Sequence, residues 1–130
     1  MNKRQKKDLE SIFKGYPEIK LVYFFGSKAR GKAGRLSDYD FAAYLDKKDK
    51  KGSFDIKFAL MDKISRLLNS DRVDIVILNV AEGTELKYNI IREGKLIYEK
   101  EPYRVIVEPK ILNEYFDFRH LLLKYHLTKA

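Results

Sequence analysis

The chain has 130 residues, 45% hydrophobic and 13% aromatic, which suits one domain with a single core and excludes a disordered chain. Its 27 Lys and Arg against 19 Asp and Glu leave +8, a field that attracts nucleotides, RNA or an acidic protein without choosing among them. With no cysteine, a disulfide framework and a thiolate metal site are excluded. No apolar run approaches the roughly 18 residues of a membrane span, and the charged start MNKRQKKDLESIF does not read as a secretory signal; a soluble, cytoplasmic protein is expected.

Leu9, Ile12, Phe13 and Tyr16 recur at helical spacing and predict an opening amphipathic helix that Gly15 and Pro17 end. Lys20 to Phe25 is a short apolar run, read as a buried strand stopping at Gly26. After the basic stretch GSKARGKAGRLSDYD, residues Tyr39 to Leu45 read as a second strand. KKDKKGS is then expected as a solvated turn, either a hairpin or a loop into a helix from about Ser53 to Asn69, marked by Leu60, Met61, Ile64, Leu67 and Leu68. Arg72 to Leu78 is a third strand, rich in branched residues that suit a sheet interior.

A short helix is expected from Thr84 to Glu93, closed by Gly94 in a left-handed cap, with an edge strand in LIYE after it. Ile111, Tyr115, Phe118 and Leu122 predict a final helix from about Lys110 to about 128, with Pro109 at or before its start. The fold class is therefore α/β (α+β), helices packed on a small sheet.

Chemistry concentrates in the acids. In a strand, Asp38 and Asp40 project to one side and Tyr39 to the other. Two adjacent carboxylates repel unless a cation lies between them or one takes a proton. Mg²⁺ favours such oxygen ligands together with substrate phosphates. A third acid, Asp74, interrupts the apolar strand RVDIVIL, where an unpaired charge is costly; it completes the cluster if the two strands are neighbours. Each element has a bland counterpart: Ser-Asp-Tyr-Asp is common turn composition, and Asp74 has a lysine or arginine as an alternative partner. Gly26 permits close approach of backbone to an anion. A helix starting at Ser27 would offer free amides to phosphate, with Lys28 and Arg30 as further donors or as an ordinary salt-bridged face. The stretch lacks the ending of the ATPase phosphate loop.

Taken in order, Gly26-Ser27, a spacer of about ten residues, Asp38-Tyr39-Asp40 and the later Asp74 resemble the signature of the nucleotidyltransferase superfamily that includes DNA polymerase β and kanamycin nucleotidyltransferase. The text GSKARG with SDYD is most similar to the minimal nucleotidyltransferases, the MNT proteins, from Leu21 to about Glu99. The resemblance implies a single nucleotidyltransferase domain over 1–130, with a mixed-sheet core at about 18–99 and the C-terminal helix after it. It implies transfer of a nucleoside monophosphate from a triphosphate, with Asp38, Asp40 and Asp74 holding two Mg²⁺ ions about 3.5–4 Å apart. Gly26 and Ser27 would bind the β,γ-phosphates, and Lys28 and Arg30 are secondary candidates. In the group it resembles, the MNT protein is the antitoxin of a HEPN/MNT (type VII) toxin–antitoxin system. There it transfers AMP from ATP to a tyrosine of a HEPN-domain ribonuclease. Transfer to a small molecule or an RNA end, or a non-catalytic toxin-binding role, are the alternatives.

Other features carry less. His120 and His126, six apart, lie about 600° around a helix and do not share a face; one is expected half-buried and the other solvated. Tyr115, Phe116, Phe118 and Tyr125 are expected in the core, with a partner interface as the alternative. KRQKK and KKDKKG are expected as solubilising faces, with RNA contacts as the lesser reading.

Overall fold

The apolar run Ile19–Phe25 forms strand β1, and its hydrophobic side chains on both sides place it inside the sheet. It pairs antiparallel with β2 (Tyr39–Leu45) and with β4 (Lys95–Glu99), while β2 pairs parallel with β3 (Val73–Ile77). The result is a mixed four-stranded sheet in the order β3-β2-β1-β4. This computed structural model describes residues 1–31, 34, 38–46, 49–81 and 83–126. Ser37, parts of the spacer and of the KKDKKG turn, and residues 127–130 lie outside them.

Helix α1 (Lys3–Lys14) starts in a reciprocal cap. The Asn2 side chain accepts from the Gln5 amide at 2.8 Å, and the Gln5 side chain accepts from the Asn2 amide at 3.0 Å. A single turn, α2 (Gly26–Ala29), follows β1 directly. Helix α3 (Lys50–Leu68) begins three residues before the expected Ser53, because the Asp49 side chain accepts from the Gly52 amide and converts the end of the lysine turn into a first helical turn. The turn therefore leads into a helix and is not a hairpin. Helix α4 (Thr84–Glu93) matches its expected bounds.

Gly94 corrects the expectation made for it. It is extended (φ −74°, ψ 159°) and not left-handed. Glycine is required there because a Cβ would collide with the Ile90 carbonyl oxygen.

Helix α5 spans Tyr103–Lys124, so Pro109 lies inside it instead of opening it. A helix-interior proline forfeits one hydrogen bond, costing about 3 kcal/mol. Here the freed carbonyl belongs to Val105, a residue 72% exposed. Val107 and Ile111 on the same helix are buried against Leu21 and Tyr23 of β1. The Tyr23 hydroxyl donates to Glu108 at 2.5 Å, and Arg104 pairs with Glu108 at 3.2 Å. Tertiary contacts thus hold the early turns that a local reading of Pro109 forbids. Burial, then the hydrogen bond to Glu108, raises the Tyr23 phenol far above its ordinary pKa, so it stays the donor.

Helices α1 and α3 cover one face, where Leu9, Phe13, Leu60 and Ile64 meet Val22, Phe41 and Ile75. Helices α4 and α5 cover the other, where Ile90, Val107 and Ile111 meet Leu21, Tyr23 and Ala42. The distal half of α5 leaves this core: Phe116, Phe118, Leu121, Leu123 and Tyr125 are exposed. The expected core role of the aromatic series therefore fails for Phe116, Phe118 and Tyr125. Tyr115 is half-buried and stacks on Tyr88 of α4 at 3.8 Å between centroids. Both histidines are exposed, so neither is the half-buried one expected. Among the described residues no helix is long and apolar enough to cross a membrane.

Candidate active site

The site forms where β1 ends and β2 and β3 begin. Phe25 pairs with Asp40, and Asp40 pairs in turn with Asp74 on the parallel strand β3. Register partners on adjacent strands project to the same face. The two carboxylates therefore stand side by side on the face that Ala42, Val76 and Leu78 share with α4 and α5. Asp38 precedes β2 by one residue, and the Arg72 guanidinium lies 3.8 Å from it, both side chains about half exposed. Arg72 also accepts the Tyr39 amide through its carbonyl at 2.7 Å, tying the starts of the two parallel strands together.

Burial first, then the negative charges of Asp38 and Asp74, raises the Asp40 pKa above the ordinary aspartate range. Asp40 therefore feels the charges of both neighbouring acids. Among the described residues neither Asp40 nor Asp74 has a side-chain hydrogen bond or ion pair. No three acidic or imidazole groups there form a ready-made metal cage. The donors are hard carboxylate oxygens, partly exposed, with open coordination positions. That set fits Mg²⁺, which keeps waters and shares itself between one or two protein carboxylates and phosphate oxygens.

Gly26 faces these acids. Its φ of +81° is a conformation that L side chains resist, and a Cβ there would run into the Asp40 carboxylate. The chain can turn into α2 directly over Asp40 only because this residue is glycine. Ala29, only 4% exposed, anchors the turn from beneath. Ser27 is half-buried in this turn. The helix expected at Ser27 is four residues long, so its dipole is slight and its free amides are what it offers.

The two basic candidates have local partners. The Lys28 ammonium sits 4.4 Å from the centre of the Tyr39 ring, and Arg30 pairs with Glu93 of α4 at 3.4 Å, both side chains half-exposed. Sequence reasoning missed Arg72 and Glu93. Arg72 had a signal, since it opens the strand that carries Asp74. Glu93 had none, standing 63 positions from its partner.

The family described as "Polymerase beta, Nucleotidyltransferase" matches residues 7–103, and the chain belongs to it. It is thus a nucleotidyltransferase domain. A protein adenylyltransferase, MntA, of Aphanizomenon flos-aquae (strain 2012/KM1/D3) is 32% identical over 92 residues, 65% of this chain. The matched part spans 59% of that relative's length. Among solved structures, a toxin–antitoxin complex with AMP-PNP contains a chain 26% identical, with a TM-score of 0.73 over 98% of this chain and 94% of that one. A chain in the complex of tri-AMPylated Shewanella oneidensis HEPN toxin with MNT antitoxin shares the fold at 22% identity and a TM-score of 0.69, covering 98% of this chain and 94% of its own.

Proposed function

We propose that this protein is a Mg²⁺-dependent adenylyltransferase that moves AMP from ATP to a hydroxyl of a protein partner. The partner is a HEPN ribonuclease toxin, the acceptor one of its tyrosines, and the outcome an antitoxin function. The observation that carries the chemistry is the register of Asp40 with Asp74 beneath a glycine that only lacks a clash because it has no Cβ. The similarity to an adenylyltransferase and to a chain crystallised with AMP-PNP in a toxin–antitoxin complex supports the choice of reaction and partner.

Asp38, Asp40 and Asp74 would hold Mg²⁺, which when bound supplies charge neutralisation of the triphosphate and a lower pKa for the acceptor hydroxyl. Gly26 leaves room for the phosphates, while the Ser27 hydroxyl and the amides of α2 donate to their oxygens. The Arg72 guanidinium stands beside Asp38 as a surface ion pair. The acceptor oxygen forms its bond to the α-phosphorus as the α–β bridging bond breaks and pyrophosphate leaves. The hydroxyl proton passes to a carboxylate, for which Asp74, exposed at the start of β3, is the accessible candidate. Positioning and charge do most of the work in such transfer. The exposed apolar residues of distal α5 offer the partner a docking surface: the helix protrudes from its own core, and the toxin–antitoxin neighbours superpose along nearly the whole chain.

The test incubates the protein with α-labelled ATP, Mg²⁺ and the HEPN partner. Asp38→Asn with Asp40→Asn should abolish label transfer while circular dichroism stays unchanged. If that double variant neutralises the toxin as well as wild type does, the protein acts by covering its partner and the catalytic reading is wrong.

A further inference from the structure

A second site lies outside the acids. A groove of about 800 Å³ runs between α1 and the edge strand β4, and reaches the Gly26-Ser27 turn only through Lys28. Its walls carry Lys3, Arg4, Lys6 and Lys7 from α1 and Lys95 from β4, besides Lys28. Of these six, none is ion-paired to a described residue. The acid lining the groove is Glu10, and it is already paired with Lys14 at 3.1 Å.

Solvation alone does not account for this arrangement. The first turn of α1 holds no acid, although a helix N-terminus favours negative charge, and instead places Lys3 and Arg4 there. Cations from three separate elements converge on one concavity whose apolar lining includes Leu9, Phe24 and Ile97, packed on the α1 face of the sheet. Along it runs β4, which pairs with β1 on one side and forms the edge of the sheet on the other. A second hollow continues the same path past Ile97 to Lys100, where Lys14 and Lys100 stand beside the acids Glu10 and Glu99. An edge strand presents unpaired backbone groups to an extended chain, and pockets beside it select side chains.

We infer that this groove binds an extended, acidic segment of the protein partner, laid along β4 with its carboxylates against the α1 lysines. The floor favours peptide over RNA: none of the exposed aromatic side chains lines the groove, and single-stranded nucleic acid is held by stacking its bases on such rings. The inference rests on the proposed protein acceptor for the identity of the partner. Its physical content is separable, because the groove and the acids lie on different parts of the surface.

The experiment measures fluorescence anisotropy of a labelled peptide of about eight residues, alternating Glu with Val, against the full chain. Wild type should bind it, with affinity falling as salt rises. The variant Lys6→Glu/Lys7→Glu/Lys95→Glu should lose about tenfold or more while keeping its melting temperature and its affinity for ATP. Asp38→Asn/Asp40→Asn should bind the peptide as wild type does, which keeps this result independent of catalysis. Tighter binding of an oligouridylate of equal charge would assign the groove to RNA and overturn the inference. No loss of peptide affinity in the triple variant would overturn it equally.

Discussion

Asp40→Asn should make the protein more stable while removing its chemistry. Asp40 is partly buried between two other carboxylates, with no described hydrogen-bond donor to its side chain, and its folded-state pKa is raised above the ordinary value. A raised carboxylate opposes folding once ionised. The penalty is absent below the ordinary aspartate pKa, about 4. It grows as pH rises through the interval to the raised folded value, and stays constant above that. Because the group is only partly buried, the repulsion is screened and amounts to about 0.5–1 kcal/mol at neutral pH, the scale of surface charge pairs. For a domain of this size that is about 2–4 °C in Tm. The isosteric, neutral asparagine removes it. Melts in EDTA at pH 7 should place the variant above wild type, with the gap closing in acid and in high salt. Adding Mg²⁺ and ATP should stabilise wild type and not the variant. A variant less stable than wild type at pH 7 without metal would refute the reasoning, since Asp40 would then be held by structural bonds and not poised for a cation.

Two further outcomes follow from single contacts. Gly26→Ala forces a side chain into a left-handed backbone, about 1–2 kcal/mol, and pushes its Cβ against the Asp40 carboxylate. Urea unfolding should show that loss, and isothermal titration should show Mg²⁺-dependent ATP binding weakened well beyond it; unchanged ATP binding would remove the Gly26 turn from the site. Tyr23→Phe deletes the donor to Glu108, which keeps its pairing with Arg104. It should cost about 1–2 kcal/mol in urea unfolding without changing ATP affinity, because the contact fastens α5 to the sheet and neither residue belongs to the proposed nucleotide site.

The local signals in the sequence were strong where the chain makes strands. YDFAAYL became β2 with its bounds intact, and the two-residue repeat puts Asp40 on the face of Ala42, while Asp38 stands just before the strand and outside that repeat. The asymmetry of β3, with Asp74 and Val76 opposite Val73, Ile75 and Ile77, was likewise legible, since it depends only on strand periodicity. The family resemblance needed only these spacings. Gly94 was correctly singled out as special, but for a backbone twist it does not have; the cause is the approach of Ile90, which becomes apparent only when the helix and β4 are in place.

What the amino-acid order determined by itself is the set of local elements and the faces of their side chains, because helix and strand periods follow from backbone geometry alone. Tertiary structure decided which of those faces meet. It put Asp74 beside Asp40 by pairing β3 with β2, gave Asp38 an arginine and Arg30 a distant glutamate. It also carried α5 through Pro109, because burying Val107 and Ile111 and anchoring Glu108 to Tyr23 outweighs one missing backbone hydrogen bond. Contacts between residues far apart in the chain leave no mark on local periodicity, so they appear only once the sheet has formed.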